Sequence, residues 1–98
     1  MKYLTPAQRQ HLKGLAHTLQ PVVMIGGQGL TPAVLKEIER SLAAHELIKI
    51  KAAHEALEVR RGWLNEICGA TGAEPVQQIG KVLVVYRRAD KPVIVLPA

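Results

Sequence analysis

The strongest chemical signal in the chain is Gly26-Gly27-Gln28-Gly29, set between the apolar run Val22-Val23-Met24-Ile25 and a helix start at Thr31-Pro32. At such a junction, unpaired backbone N–H groups and the helix dipole favour an anion. Glycines also let a phosphate-bearing backbone come close without side-chain obstruction. The plainer alternative is a tight strand-to-helix turn that needs positive φ. The loop lacks a full G-x-G-x-x-G pattern and no Gly-Lys-Ser/Thr follows it, which argues against a dinucleotide site and a P-loop.

The second signal is the placement of bases. Arg9, Lys13 and His17 recur at i, i+4 and i+8, a single row along a helix. Lys49 and Lys51 alternate with apolar residues, Lys81 sits at a turn, and Arg87 and Arg88 close an apolar run. Any one of these could be an ordinary solvating charge. Their concentration says more: residues 1–36 carry four Lys/Arg and no Asp or Glu, and the chain's 13 Lys/Arg against 8 Asp/Glu leave it at +5. An anionic partner fits that balance. Three aromatics (Tyr3, Trp63, Tyr86) and no Phe cannot build the ring platform of an RRM. RNA, if bound, must be held mainly through charge and backbone.

Catalysis has little support. His11, His17, His45 and His54 lack H-E-x-x-H or other metal spacing. The single cysteine, Cys68, excludes an internal disulfide and any multi-cysteine metal site, and on a helix's core face it reads as an inert thiol. Glu37 and Glu39 flank opposite sides of a helical core stripe, so they offer no acid–base pair. No catalytic residue, metal, cofactor or small-molecule substrate is expected. No apolar run approaches the ~20 residues of a membrane span, and Met1 to Pro6 show no signal-peptide core. A cytoplasmic monomer without membrane contact is the expectation.

The elements that must position these groups fit one compact domain over residues 1–98, since 48% apolar composition supports a packed core and the length leaves no room for two. Thr5-Pro6-Ala7-Gln8 starts a helix, with Leu12, Leu15, Ala16 and Leu19 on its inner face. Val22–Ile25 reads as a buried strand. A second helix from Thr31-Pro32 to near His45 carries Val34, Leu35, Ile38 and Leu42 inward, with Lys36 and Arg40 outward. Leu47–Ala52 alternates as a half-buried strand. A third helix runs from about Glu58 to Thr71, with Trp63, Leu64, Ile67 and Cys68 inward, Arg60's stem reaching water and Gly72 as C-cap. Pro75–Ile79 and Val82–Tyr86 form a hairpin across Gly80-Lys81, and Val82–Tyr86, apolar on both faces, should lie centrally. Val93–Leu96 could add a short closing strand. The fold class is therefore α/β, in the order α-β-α-β-α-β-β, with a mixed, mostly parallel four-stranded sheet. Right-handed crossovers put the second and third helices on one face and leave the other for the first.

Three separated blocks together resemble the YhbY-like CRM (chloroplast RNA splicing and ribosome maturation) domain family. They are Gln10 to His17 with Leu19, Pro21-Val22-Val23, Ile25-Gly26 and Gly29-Leu30-Thr31; then His45 to Lys51; then Ile79 to Arg87. The resemblance spans nearly the whole chain. It implies a fold related to the C-terminal domain of translation initiation factor three, and a ribosomal RNA-binding protein that joins precursors of the large ribosomal subunit and assists their assembly. The family's Gly-x-x-Gly loop falls on Gly26–Gly29, and where many members carry a Lys after the first glycine this chain has Gly27, which removes a phosphate contact. The RNA-binding set expected from these readings is Lys13, His17, Gly26, Gly27, Gln28, Gly29, Thr31, Lys49, Lys51 and Arg87. Two rivals stand beside it: a protein–protein adaptor on ribosomal particles without direct RNA contact, and a small nucleotide-binding enzyme.

Overall fold

Capping and punctuation residues delimit most of the elements. The computed structural model describes residues 4–98, so Tyr3 lies outside the described residues. The order is α1 (Pro6–Ala16), β1 (Pro21–Ile25), α2 (Pro32–His45), β2 (Leu47–Ala52), α3 (Leu57–Thr71), β3 (Glu74–Ile79) and β4 (Val82–Tyr86). Thr5 and Gln8 form a reciprocal capping box: the Thr5 hydroxyl accepts from the Gln8 N–H at 3.1 Å, and the Gln8 Oε1 accepts from the Thr5 N–H at 3.0 Å. The Thr31 hydroxyl caps α2 by accepting from the Val34 N–H at 3.2 Å. Gly72 closes α3 in the left-handed conformation, its N–H donating to the Cys68 carbonyl.

The strands pair in the order β1-β2-β4-β3. β1 and β2 are parallel, and β4 is antiparallel to both β2 and β3. β1, β2 and β3 thus share one direction, as the crossovers require, but only one of the three ladders is parallel. The cause is β4. The two-residue turn at Gly80-Lys81 ties it to β3, while its double-faced apolarity needs cover on both sides and a neighbour on each edge. It therefore inserts between β2 and β3.

Two apolar layers result. Val23, Ile25, Ile48, Ile50, Leu83 and Val85 face Ile38 and Leu42 of α2 and Leu64 and Ile67 of α3. On the other side, Leu47, Val76, Val84 and Tyr86 face Leu12 and Ala16 of α1. β1 departs from the expected buried strand: it is an edge, with Val23 and Ile25 buried but Val22 and Met24 exposed. α1 is also narrower in its packing, since Leu15 and Leu19 are exposed. An 11-residue helix crossing only part of a four-stranded sheet cannot bury its whole stripe.

Arg60 does not reach out to water. It is buried, and its Nη1 donates to the carbonyls of His54 and Glu55 at 2.6 and 2.9 Å, which folds residues 53–56 over the start of α3.

Residues 93–96 form no strand. The Glu46 carboxylate takes their amides instead: Oε1 accepts from the N–H groups of Val93 and Ile94 at 2.8 and 2.9 Å, and Oε2 from Ala89 at 3.0 Å. Ile94 and Leu96 then pack against the α1-side layer. Glu46 joins α2 directly to β2 at φ +65°, an uncommon value for a residue with a side chain. Burial pushes its carboxyl pKa up, but the three amides and the charge of Arg88 outweigh that, leaving it below the ordinary 4.5.

Two outcomes follow. Leu83→Ala or Ile38→Ala should cost about 2–5 kcal/mol in denaturant unfolding, and Leu15→Ala well under about 1 kcal/mol, because only the first two empty a packed site. Glu46 has a folded pKa below its unfolded one, so its stabilisation is present above pH 4.5 and is lost as pH falls through the folded pKa. Glu46→Gln should cost about 2 kcal/mol at neutral pH and flatten that acid dependence, read by thermal melts across pH 3–7.

Candidate nucleic-acid interface

The glycine loop leaves the sheet at the end of β1, where Ile25 pairs with Ala52 and the Ala52 N–H donates to the Lys81 carbonyl at 2.7 Å. Gly26 and Gly29 close a turn, the Gly29 N–H donating to the Gly26 carbonyl at 3.0 Å, with exposed Gly27 and Gln28 at its tip. Leu30 anchors the loop by packing against the core, and Thr31 then starts α2. The Thr31 hydroxyl is occupied in capping, so its contribution here is to hold the helix N-terminus in place.

Only one glycine of the set is demanded by the backbone and its surroundings. Gly29 has φ +76°, and a Cβ there would stand 3.6 Å from Trp63 Cζ2. Gly26 has no such φ, and at Gly26 and Gly27 a Cβ would meet open space. Trp63 packs partly into the core and reaches the loop, with His54 edge-on to it at 5.6 Å. The ring therefore supports the loop from beneath, a role that helical spacing could not reveal.

The bases divide between the two ends of the sheet. Lys51 is exposed on the last turn of pleat before the loop, and Lys81 lies at the same end, paired with Glu55 at 3.1 Å. Lys13, His17 and Lys49 come together with Gln10 and Gln77 in a shallow groove of about 330 Å³ between α1 and the sheet. His17 sits one residue past α1 as its C-cap. Arg9 of the same row is committed to β3, donating to the Pro75 carbonyl at 3.2 Å.

Arg87 is not part of this gathering. Its N–H donates to the Glu46 carbonyl, so it lies beyond the Leu47–Tyr86 pair at the far end of β2, about 20 Å from Ala52 at 3.3 Å per residue. Its guanidinium is ion-paired with Glu39 and donates to the Thr71 carbonyl at 2.9 Å, joining α2 to α3. A larger concavity of about 640 Å³ lies at that far end, under the C-terminal segment.

Other chemistry gathers no constellation. Among the described residues, no three His, Cys, Asp or Glu side chains stand where they could hold a metal ion. Burial, followed by the charge of Glu74, pushes the Cys68 thiol up to about 11, so it stays protonated at neutral pH. Among the described residues, no helix is long and apolar enough to cross a membrane.

The site thus combines a glycine turn at one sheet end, Lys51 beside it and a basic groove farther back under α1. The CRS1/YhbY (CRM) domain model matches residues 4–87, and the chain belongs to that family. A Haemophilus influenzae protein named an RNA-binding protein is 50% identical over 97 residues, covering 99% of this chain and 98% of the relative. A Pseudomonas aeruginosa protein named a probable RNA-binding protein is 44% identical over 89 residues, covering 91% and 86%. The solution structure of a Staphylococcus aureus protein, described as a candidate RNA binder, superposes with a TM-score of 0.86 at 33% identity, covering 96% of this chain and 99% of that one.

The loop's two outer glycines should separate in a stability assay. Gly29→Ala forces an L side chain to φ +76° and should cost about 1–2 kcal/mol. Gly26→Ala meets open space, and its melting temperature should move little. Equal losses at both would mean that Gly26 also has a conformational duty.

Proposed function

We propose that this protein binds RNA through the sheet end that carries Gly26–Gly29, and that it acts on precursor large ribosomal subunit RNA as a non-catalytic assembly factor. The observation that carries this reading is that Lys51 stands at the sheet end from which the loop leaves, with the Lys13–His17–Lys49 groove farther back on the α1 face and the loop anchored on the α2–α3 face. α1 itself bears no carboxylate, so nothing on that helix opposes a phosphate backbone in the groove. Membership of the CRM family, with relatives named for RNA binding, supports the same conclusion. Gly26, Gly27 and Gln28 present open backbone to a phosphate, Gly29 and Thr31 hold the loop and helix end in shape, and the three lysines neutralise charge. Arg87 is left out, because Glu39 and Thr71 already hold its head.

The adaptor reading retains one observation in its favour. Leu15, Leu19 and Val22 expose apolar surface around a groove of about 480 Å³ on the α1 side, the sort of surface a protein partner covers. Sequencing of RNA crosslinked to the protein in cells separates the two: precursor large-subunit segments support the assembly role, and absence of RNA crosslinks favours the adaptor.

Salt titration tests the grip itself. If Lys13, Lys49 and Lys51 each neutralise one phosphate of a single strand, they contribute a logarithmic slope of about −2, or roughly twentyfold weaker binding for a fourfold rise in salt. Lys13→Gln and Lys51→Gln should each flatten the slope by about 0.7, whereas Lys36→Gln, Arg40→Gln and Arg87→Gln should leave it unchanged. Controls that lose as much as Lys13 and Lys51 would remove the proposed surface.

A further inference from the structure

α1 leaves one row of the sheet largely uncovered, only Val82 in it being partly buried against the α1-side layer. Cross-strand register aligns Met24 of β1, Lys51 of β2, Val82 of β4 and Ile79 of β3. Their common side is the α1 side, because Val23, Ile25, Ile50 and Leu83 point the other way into the α2–α3 layer. Leu12 and Ala16 of α1 bury the rows nearer Leu47 and Tyr86, and the helix ends its cover there. Met24 is 59% exposed and Ile79 56% exposed on the two edge strands, while Val82 between them is partly buried. The row crosses four strands, about 14 Å at 4.8 Å spacing, which exceeds the width of one nucleobase.

This apolar row has a charged frame. Lys51 rises from its middle, Lys49 stands one row back, and Lys13 flanks it on α1. Neither this row nor the next one, Lys49–Val84–Gln77, contains a carboxylate. The glycine turn follows Ile25, one residue beyond Met24. An apolar surface ringed by cations and beside a phosphate-sized turn fits a ligand that is flat and apolar in one part and anionic in another. A duplex buries its bases inside and offers this row only sugar and phosphate.

We propose that Met24, Val82 and Ile79 form an aliphatic platform on which unpaired bases of RNA lie, while Lys13, Lys49 and Lys51 hold the backbone, so that the ligand is single-stranded. This rests on the RNA-binding reading above and specifies which RNA satisfies it. The platform takes the place that aromatic rings hold in other sheets, and it accepts any base because every base has an apolar face. Gln10 and Gln77, in the groove beside it, are the amides able to meet base edges.

The test compares three probes of about ten nucleotides on the full chain: an unpaired RNA, the same RNA annealed to its complement, and an abasic ribose-phosphate strand of equal charge. The unpaired strand should bind at least tenfold tighter than either of the others. Met24→Ser with Ile79→Ser should weaken the unpaired strand about tenfold with the salt slope unchanged, and should leave duplex and abasic binding as they were. Both side chains are mostly exposed, so the variant should keep its melting temperature. Ile79→Phe adds a second variant, expected to tighten the unpaired strand by offering a ring. If the abasic strand binds as well as the intact one, or the serine variant binds RNA normally, the platform is overturned while RNA binding survives, and the row is left to a protein partner. If no probe binds, the RNA-binding reading fails with it.

Discussion

Burial of β4 on both faces governs the architecture. Leu83 and Val85 enter the layer under α2 and α3, while Val84 and Tyr86 enter the layer under α1. A five-residue strand with this pattern has no solvent face, so it must have helices above and below and a strand on each edge. The short turn after β3 supplies one neighbour, and β2 supplies the other. The mixed sheet, its two layers and the edge positions of β1 and β3 all follow from that demand.

A second constraint works at the end of the sheet away from the glycine loop. α2 passes into β2 through Glu46 alone, and the positive φ there turns the carboxylate toward the C-terminal segment. The segment is too irregular for a ladder, yet it folds back over the sheet end where its partly buried amides need an acceptor. A carboxylate with two oxygens satisfies three of them. Arg87 closes the same end from outside by joining Glu39 and Thr71. The two ends of the sheet thus differ in kind. One is cross-linked by charge that is already partnered, and the other presents lysines, of which Lys81 has a partner in Glu55, around an open turn.

Much of this was legible in the residues. Thr-Pro starts, the Gly72 stop, the alternation of Leu47–Ala52 and the double apolarity of Val82–Tyr86 each reflect a local rule that the tertiary structure obeys. Val22–Ile25 reads as a buried strand in sequence because four apolar residues in a row look alike whether a strand has one covered face or two, and as an edge it buries only Val23 and Ile25. The closing strand failed for a different reason: the acceptor for its amides is a side chain 47 residues away, and no local pattern announces that. Charge was legible as a quantity but not as a location. Lys51 and Arg87 are equally basic in the sequence, and only strand register sends one to the open end and the other to the closed end.

The same geometry explains why a protein so poor in aromatics can have a surface suited to bases. Three aromatic rings in the whole chain are too few for a stacking platform. Exposure, however, is settled by how far α1 reaches. Its layer takes in Leu47, Val76, Val84 and Tyr86 and only part of Val82, so Met24 and Ile79 stand in solvent toward the glycine-turn end of the sheet. In this sheet they are apolar surface with lysines around it, and the cost of leaving them wet is one that a flat, anionic ligand relieves on both counts.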